Sequence, residues 1–429
     1  STFSLVAASI AGLVGSGWLL GPFFAAKVAG AAAIISWPLA GILMMIVAAT
    51  FVILASTMTV VGGTVRYFQL SYGHFAGFGF SWIAWLAWVA VAPIETMALL
   101  QYSTNYWPGL MTTGVHPALT VEGIAVAIGI MALIYAINYC GVYLFSRVNN
   151  IILAFKLFIP VATCVILFST HFNLHNFTAA GGFLSGGVKS IFAALPMAGV
   201  IYSFIGFNPA VQLAGETKNP RVAMPVAIFG SLILCIFLYT AIQAVFIGAL
   251  SPAMLSHGWQ HLSFTGDNGP FAGILAAFGF AWFVKVLYVD SIVSPFGTAM
   301  VQTMATSRMT YAMSDNGYFP SWLKRLNSQK SPYRALAMNM IIGVLFFLPF
   351  PSWHQMVVFL VSCLVLGYVV GPMSLMLLAK DEPEKFKCVP GWMIQVLCMA
   401  AFYICNLMIF WTGWAIMAKV SVAFAIGYV

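Results

Sequence analysis

The feature that most limits this chain is its succession of apolar runs about twenty residues long, separated by short polar stretches. Only 6% of its 429 residues are charged, and 62% are hydrophobic. A soluble domain usually carries about 25% charge. A chain so short of charge cannot cover itself with ionised side chains, so most of its surface must face lipid. In hydrocarbon every backbone N–H and C=O needs a partner within the protein, which leaves helices or a closed barrel. Barrel strands would show as alternating segments of about ten residues. Twenty-residue runs match helices crossing a roughly 30 Å core. The sequence predicts an all-α membrane protein.

Twelve spans are expected, at about 4–27, 33–58, 75–107, 121–140, 147–169, 187–214, 222–249, 281–307, 335–350, 355–379, 392–411 and 413–429. The third is long enough to tilt strongly or protrude. The first is too long for a cleavable signal peptide. The chain lacks an initiator Met and stops inside its last apolar run, so both termini are read as truncated. The net charge of +8 is no sign of a nucleic-acid partner, because membrane proteins gather Lys and Arg in cytoplasmic loops. With the N-terminus inside, twelve basic residues between Arg66 and Lys387 fall on the cytoplasmic side, against Lys27, Lys189, Lys285 and Lys419 outside. That asymmetry predicts a multi-pass protein of the cytoplasmic membrane with a cytoplasmic N-terminus. His116, His171, His175, His257 and His261 then lie in outer loops, either as solvated residues or as sensors of external pH. The stretch from about 250 to 280, with Ser251-Pro252 and Asp267-Asn268-Gly269-Pro270, predicts an outer loop folded back as a lid. The seven cysteines show no paired or metal-ligand spacing, and neither a metal nor a cofactor is expected.

Two spans carry breaks. The first contains Gly12, Gly15, Ser16, Gly17 and Gly21-Pro22. Glycine costs a helix interior about 1 kcal/mol relative to alanine, and Gly15-Ser16-Gly17 is a run of small residues that can open the backbone. The sixth reads Ile201-Tyr202-Ser203-Phe204-Ile205-Gly206-Phe207-Asn208-Pro209. Pro209 has no N–H to donate, and Gly206 permits unwinding. Taken singly, each break is also what a kink or a close helix crossing shows. Together they hold matching places, as an inverted repeat of five plus five helices would set them, with a ligand between. Unwound backbone at membrane depth persists only where it is buried in protein or lines a cavity. A half-helix starting near Trp18 aims the N–H groups of Ser16, Gly17 and Trp18 at the break, which suits a carboxylate. A half-helix ending near Ser203 offers carbonyls to an ammonium group. An α-amino acid carries both groups.

Glu95, Lys156 and Asp290 lie well inside predicted spans, with Lys285 nearer an outer end. A charge at mid-bilayer costs at least about 2.5–3.5 kcal/mol, so it needs a reason, either function or a packing ion pair. Lys156, four residues ahead of Pro160, can release a proton as its surroundings change, and its ammonium also fits where a sodium ion would sit among carbonyls. Proton coupling is the resulting expectation. Asp290 shares a helix face with Ser294 and Thr298, and Glu95 is followed by Gln101 and Tyr102. Either carboxylate is a candidate proton acceptor or substrate contact.

Gly15-Ser16-Gly17-Trp18-Leu19-Leu20-Gly21 resembles the first-helix GSG motif of the amino acid–polyamine–organocation (APC) permeases. Ser203-Phe204-Ile205-Gly206-Phe207-Asn208 looks like their sixth-helix break, and Gly215-Glu216-Thr217-Lys218-Asn219-Pro220-Arg221 like the stretch that closes it. Ser307-Arg308-Met309-Thr310-Tyr311-Ala312-Met313 and Asp315-Asn316-Gly317-Tyr318-Phe319-Pro320 are similar to the family's eighth-helix exit. Pro93-Ile94-Glu95 and Asp290-Ser291-Ile292-Val293-Ser294 resemble a prokaryotic branch that includes aspartate–proton symporters. The chain departs from the pattern ahead of Gly62-Gly63, at Asn208 and at Trp18.

The resemblance implies about 12 transmembrane helices, with inverted repeats over 1–170 and 186–380, discontinuous helices 1 and 6, and two further helices over 388–429. It implies substrate contacts at Gly15, Ser16, Gly17 and Trp18, and at Ile201, Ser203, Phe204, Gly206 and Phe207. Lys156 aligns with the fifth-helix lysine that stands in for sodium in proton-coupled members. The expected function is a proton-coupled carrier of amino acids or closely related amines working by alternating access. An exchanger in which Lys156 only fixes the bundle is the alternative. A channel or membrane-embedded enzyme is disfavoured, since no selectivity-filter repeat, nucleophile elbow or phosphate loop is visible.

Overall fold

The computed structural model of the chain describes residues 2–60, 63–112, 118–217, 219–263, 269–348 and 352–428. Gly62, His116, Lys218, Asp267, Asn268 and Val429, singled out above or ending the last predicted span, lie outside the described residues. No strand occurs among the described residues. α1 (Thr2–Leu13) and α2 (Gly17–Ala29) form one broken span. α3 (Ala33–Thr57), α4 (Gly63–Ser103), α5 (Val121–Tyr139) and α6 (Val142–His171) follow. α7 (Gly187–Met197) and α8 (Asn208–Gln212) make a second broken span, joined by a 3-10 turn at Ile201–Phe204, and α9 (Pro220–Gly248) succeeds them. Short α10 (Pro252–Leu255) and α11 (Pro270–Ala277) lead to α12 (Ala281–Asp315). The rest comprises α13 (Tyr333–Leu345), α14 (Trp353–Tyr368), α15 (Val370–Asp381), α16 (Gly391–Thr412) and α17 (Trp414–Ile426).

Among the described residues, eight helical stretches are long and apolar enough to cross a membrane, and the bent pair around 187–212 adds a ninth. The stretch Gly17–Thr57 has 41 residues, about twice what a bilayer core needs at 1.5 Å per residue. Gly30, at φ 62°, divides it into α2 and α3. With the shorter apolar helices Tyr333–Leu345 and Trp414–Ile426, the fold accounts for about 12 crossings.

α4 is the central post, with 94% of its apolar window buried. α12 and α14 pack along it, and α3 packs along α9. α6 shows how sequence periodicity sorts the two environments. Phe155, Phe158, Val161 and Val165 are exposed, as lipid-facing residues should be, while Lys156, Ile159, Thr163 and Leu167 are buried on the opposite face.

Three features differ from expectation. α4 starts at Gly63, about twelve residues early, and turns at Gly73 with φ 71°. Its first turns carry Arg66 and Gln69, which hide a helix from any reading based on hydropathy. α12 likewise continues past 307 to Asp315, through a polar stretch packed against protein. The sixth span opens earlier than Gly206. α7 ends at Met197, and Gly199 takes φ 75°. Pro209 sits in the first turn of α8, where its missing N–H costs nothing. Gly206 serves close packing: a Cβ there would strike the Gly12 backbone, and a Cβ on Gly12 would strike the Gly206 carbonyl. The connection around 250–280 does fold back, since Phe271 packs on Trp18 at 5.7 Å.

Candidate functional site

The unwound segment between α1 and α2 is where the buried charges converge. Residues 14–16 leave the helix, so α2 starts at Gly17 and its leading N–H groups have no carbonyl of their own helix to bond. Glu95, two turns before the end of α4 and 1% exposed, reaches into this gap. Its Oε2 accepts the Ser16 N–H at 2.8 Å, and its Oε1 accepts the Tyr202 O–H at 2.5 Å. One carboxylate thus ties the break in the first span to the break in the sixth. Gly15 is required for this approach, because a Cβ there would lie 2.6 Å from Glu95 Oε1. Gly17 is equally constrained: its Cβ would fall on the Ser203 hydroxyl.

The carbonyls released by the same break are taken by other helices. Lys156 Nζ donates to Ala11 O at 2.6 Å and to Thr298 Oγ1 at 2.5 Å. Thr298 Oγ1 in turn lies 3.0 Å from Ala11 O and 3.1 Å from Val14 O, and Ser294 Oγ donates to Val14 O at 3.3 Å. Tyr239 O–H donates to Leu13 O at 2.8 Å. Gly297 opens the way for the lysine, since a Cβ there would stand 3.0 Å from Lys156 Cε. The ammonium sits among oxygens from α1 and α12, which is the environment a small cation would select.

Asp290 is fully buried, and neither of its oxygens has a hydrogen-bond partner among the described residues. The Trp18 indole lies against it, but its N–H completes no hydrogen bond of normal geometry. Lys156 is close enough to feel the charge of both Glu95 and Asp290. One ammonium therefore stands between two carboxyl groups in a membrane interior, an arrangement with more acid than base to hold. Among the described residues no three His, Cys, Asp or Glu side chains cluster as metal ligands.

A narrow cleft opens at this centre, lined in part by Trp88, Val91, Glu95, Tyr202, Thr298 and Gln302. Another, wider one lies at the far end of α2 and is lined in part by Lys27, Ser185, His257, Trp259 and His261. Lys27 and Ser16 are eleven residues apart, so about 16 Å of α2 separates the two. Phe24 lies one turn inward of Lys27 and stacks on Trp353 at 5.7 Å and on His354 at 4.6 Å. Trp353 Nε1 donates to Ser16 Oγ at 2.8 Å. At the opposite end Arg66 bonds Asn316 Oδ1 at 2.8 Å, and Gln212 Nε2 bonds Thr64 Oγ1 at 3.1 Å. Ties at both ends enclose the small cleft.

A family model described as amino acid permease matches residues 1–428. The chain belongs to the amino acid permease family of the APC superfamily. This permease is 35% identical to the glutamate/serine transporter AimA of Bacillus subtilis (strain 168), over 99% of its own length and 79% of the relative's. It is 30% identical to the aspartate-proton symporter of the same organism, over 96% and 79%. The branched-chain amino acid permease BcaP, again of that organism, is 26% identical over 100% and 90%. These relatives are named as transporters, and the permease is not an enzyme.

Of the residues anticipated from sequence, the fold gathers Gly15, Ser16, Gly17, Ser203, Glu95 and Lys156 within one polar centre. Trp18 turns toward Asp290. Ile201 is buried in the sixth break. Phe204 packs on Tyr239 at 5.4 Å, and Phe207 stacks on Tyr368 at 5.6 Å, both in the aromatic core. Tyr202, Tyr239, Trp353 and Gln302 were not anticipated as site residues. Tyr202 stands inside the quoted break, and Gln302 is a polar residue one turn beyond Thr298 in an apolar span; both facts were available signals. Trp353 and Tyr239 had none, because only tertiary packing brings them to the first span.

Proposed function

We propose that this permease moves an α-amino acid together with a proton across the cytoplasmic membrane by alternating access. The observation that carries the proposal is the Glu95 carboxylate bridging the two broken spans. The N–H groups at the start of α2, from Ser16, Gly17 and Trp18, are a natural seat for a substrate carboxylate. Substrate and Glu95 therefore compete for one place. Two carboxylates about 4 Å apart repel by about 4 kcal/mol at an effective dielectric constant near 20. A proton on Glu95 removes that repulsion, so binding of the amino acid is linked to uptake of a proton. The substrate ammonium takes carbonyls around Ile201 to Phe204. Lys156 and Asp290 belong to the same proton path, with Lys156 holding the cation position on Ala11.

The asymmetry of basic residues supports a cytoplasmic N-terminus, with the cleft at Lys27, His257 and His261 as the outer mouth. We assign the inverted repeats to residues 1–170 and 186–380, supported by the matching breaks in the first and sixth spans, and the added helices to 388–429. The relatives' named cargoes, glutamate, serine, aspartate and branched-chain amino acids, set the panel for screening.

An exchanger is the second reading. Its support is the Lys156 ammonium itself, pinned by two short bonds as a structural strut would be. Glu95→Gln separates the two. The variant is expected to retain exchange of internal for external amino acid in proteoliposomes, while accumulation driven by a pH gradient drops to background. Accumulation at the parent rate in Glu95→Gln would exclude Glu95 as the coupling group.

A further inference from the structure

We infer that Gln302 reads the side chain of the transported amino acid and selects for a hydrogen-bond donor there, a hydroxyl or a carboxamide. The inference rests on the carrier reading of the cleft at Glu95. Gln302 is 1% exposed and lines that cleft. It stands one turn beyond Thr298 on α12, about 6 Å along the helix. That offset is what a side chain needs when the α-carboxylate and ammonium of its amino acid sit in the helix breaks.

The Oε1 of Gln302 has no hydrogen-bond partner among the described residues. Its amide is oriented by its neighbours. A Cβ on Gly12 would lie 3.1 Å from Gln302 Nε2 and 2.5 Å from the Gly206 carbonyl oxygen. The NH2 group lies on the Gly12 side, and Oε1 is the unmet acceptor. Native structures rarely leave a buried acceptor unmatched without a use for it. The Tyr202 O–H donates to Glu95, and the Lys156 ammonium bonds Ala11 and Thr298 rather than Gln302. A ligand that brings a donor satisfies Oε1.

A carboxylate side chain brings only acceptors, and an aliphatic side chain brings neither donor nor acceptor. Serine, threonine, asparagine and glutamine bring a donor. Trp88 and Val91 bound the cleft and limit side-chain length.

The test compares L-serine with L-alanine, which differ by the one hydroxyl, using counterflow in proteoliposomes so that no proton gradient is needed. The wild type is expected to prefer serine by about 10-fold or more in kcat/KM. Gln302→Leu should bring that ratio close to one, chiefly through lost serine transport, while alanine still moves. Gln302→Met, which keeps the unbranched shape, serves if the leucine variant does not fold, and should have the same effect. An unchanged serine-to-alanine ratio in a folded variant, or a wild type that does not distinguish the two, overturns the assignment of Gln302. A wild type that moves no amino acid of the panel refutes the carrier reading, and the subsite with it.

Discussion

Replacing Lys156 by methionine is expected to abolish uphill amino acid uptake, to at most about a hundredth of the parent rate, in a protein that still folds. Methionine keeps most of the length and volume of the side chain and removes the charge. The folded state loses two bonds, to Ala11 O and Thr298 Oγ1. Thr298 Oγ1 lies 3.0 Å from the same carbonyl and still satisfies it. The stability cost is therefore that of one buried hydrogen bond, about 1–3 kcal/mol. The functional cost is larger. Glu95 and Asp290 lose the one ammonium that acts on them among the described residues, and the gap between α1 and α12 loses the cation that fills it. Melting temperature and size-exclusion profile report the fold, and uptake with and without a pH gradient reports the coupling. Parent-level proton-driven uptake in Lys156→Met would refute the coupling role and favour the exchanger, in which the lysine is only a strut.

Gly17→Leu should remove detectable substrate affinity. A Cβ at that position falls on the Ser203 hydroxyl, at a close contact between the two broken spans. A leucine must either push the spans apart or fill the seat of the carboxylate. Gly17→Ala gives a graded version, with an expected loss of at least about 10-fold, because even one carbon collides. The measurement is a thermal-shift titration, in which ligand binding to the folded state raises the melting temperature by mass action. An unaltered ligand-induced shift in Gly17→Leu would place the carboxylate elsewhere.

Much of this architecture was legible in the sequence because lipid punishes exceptions. Apolar runs of bilayer length had to be helices, and Lys156, Glu95 and Asp290 stood out because charges inside such runs are rare. The small-residue run Gly15-Ser16-Gly17 placed the first break correctly, since no helix-favouring residue competes with it. Where the protein shields polar residues for itself, the signal failed: Arg66 and Gln69 in α4 and the polar end of α12 lie against protein, and hydropathy is blind to that. In the sixth span Pro209 marks the start of a helix, and the residue that ends α7 is Gly199, whose positive φ a bare glycine in the sequence does not reveal. Proline looks the same in sequence whether it breaks a helix or begins one. The engagement of Ser16 by Glu95 was beyond reach for a different reason. Seventy-nine residues separate them, and only the packed bundle brings the carboxylate into the gap.

The most direct measurement is luminal pH in sealed proteoliposomes carrying a trapped pH dye, with amino acid added outside and no imposed gradient. If Glu95 must be protonated for the substrate to take its place, the lumen acidifies as the amino acid enters, and Glu95→Gln vesicles stay flat. Amino acid that accumulates inside with no change in luminal pH would contradict the account.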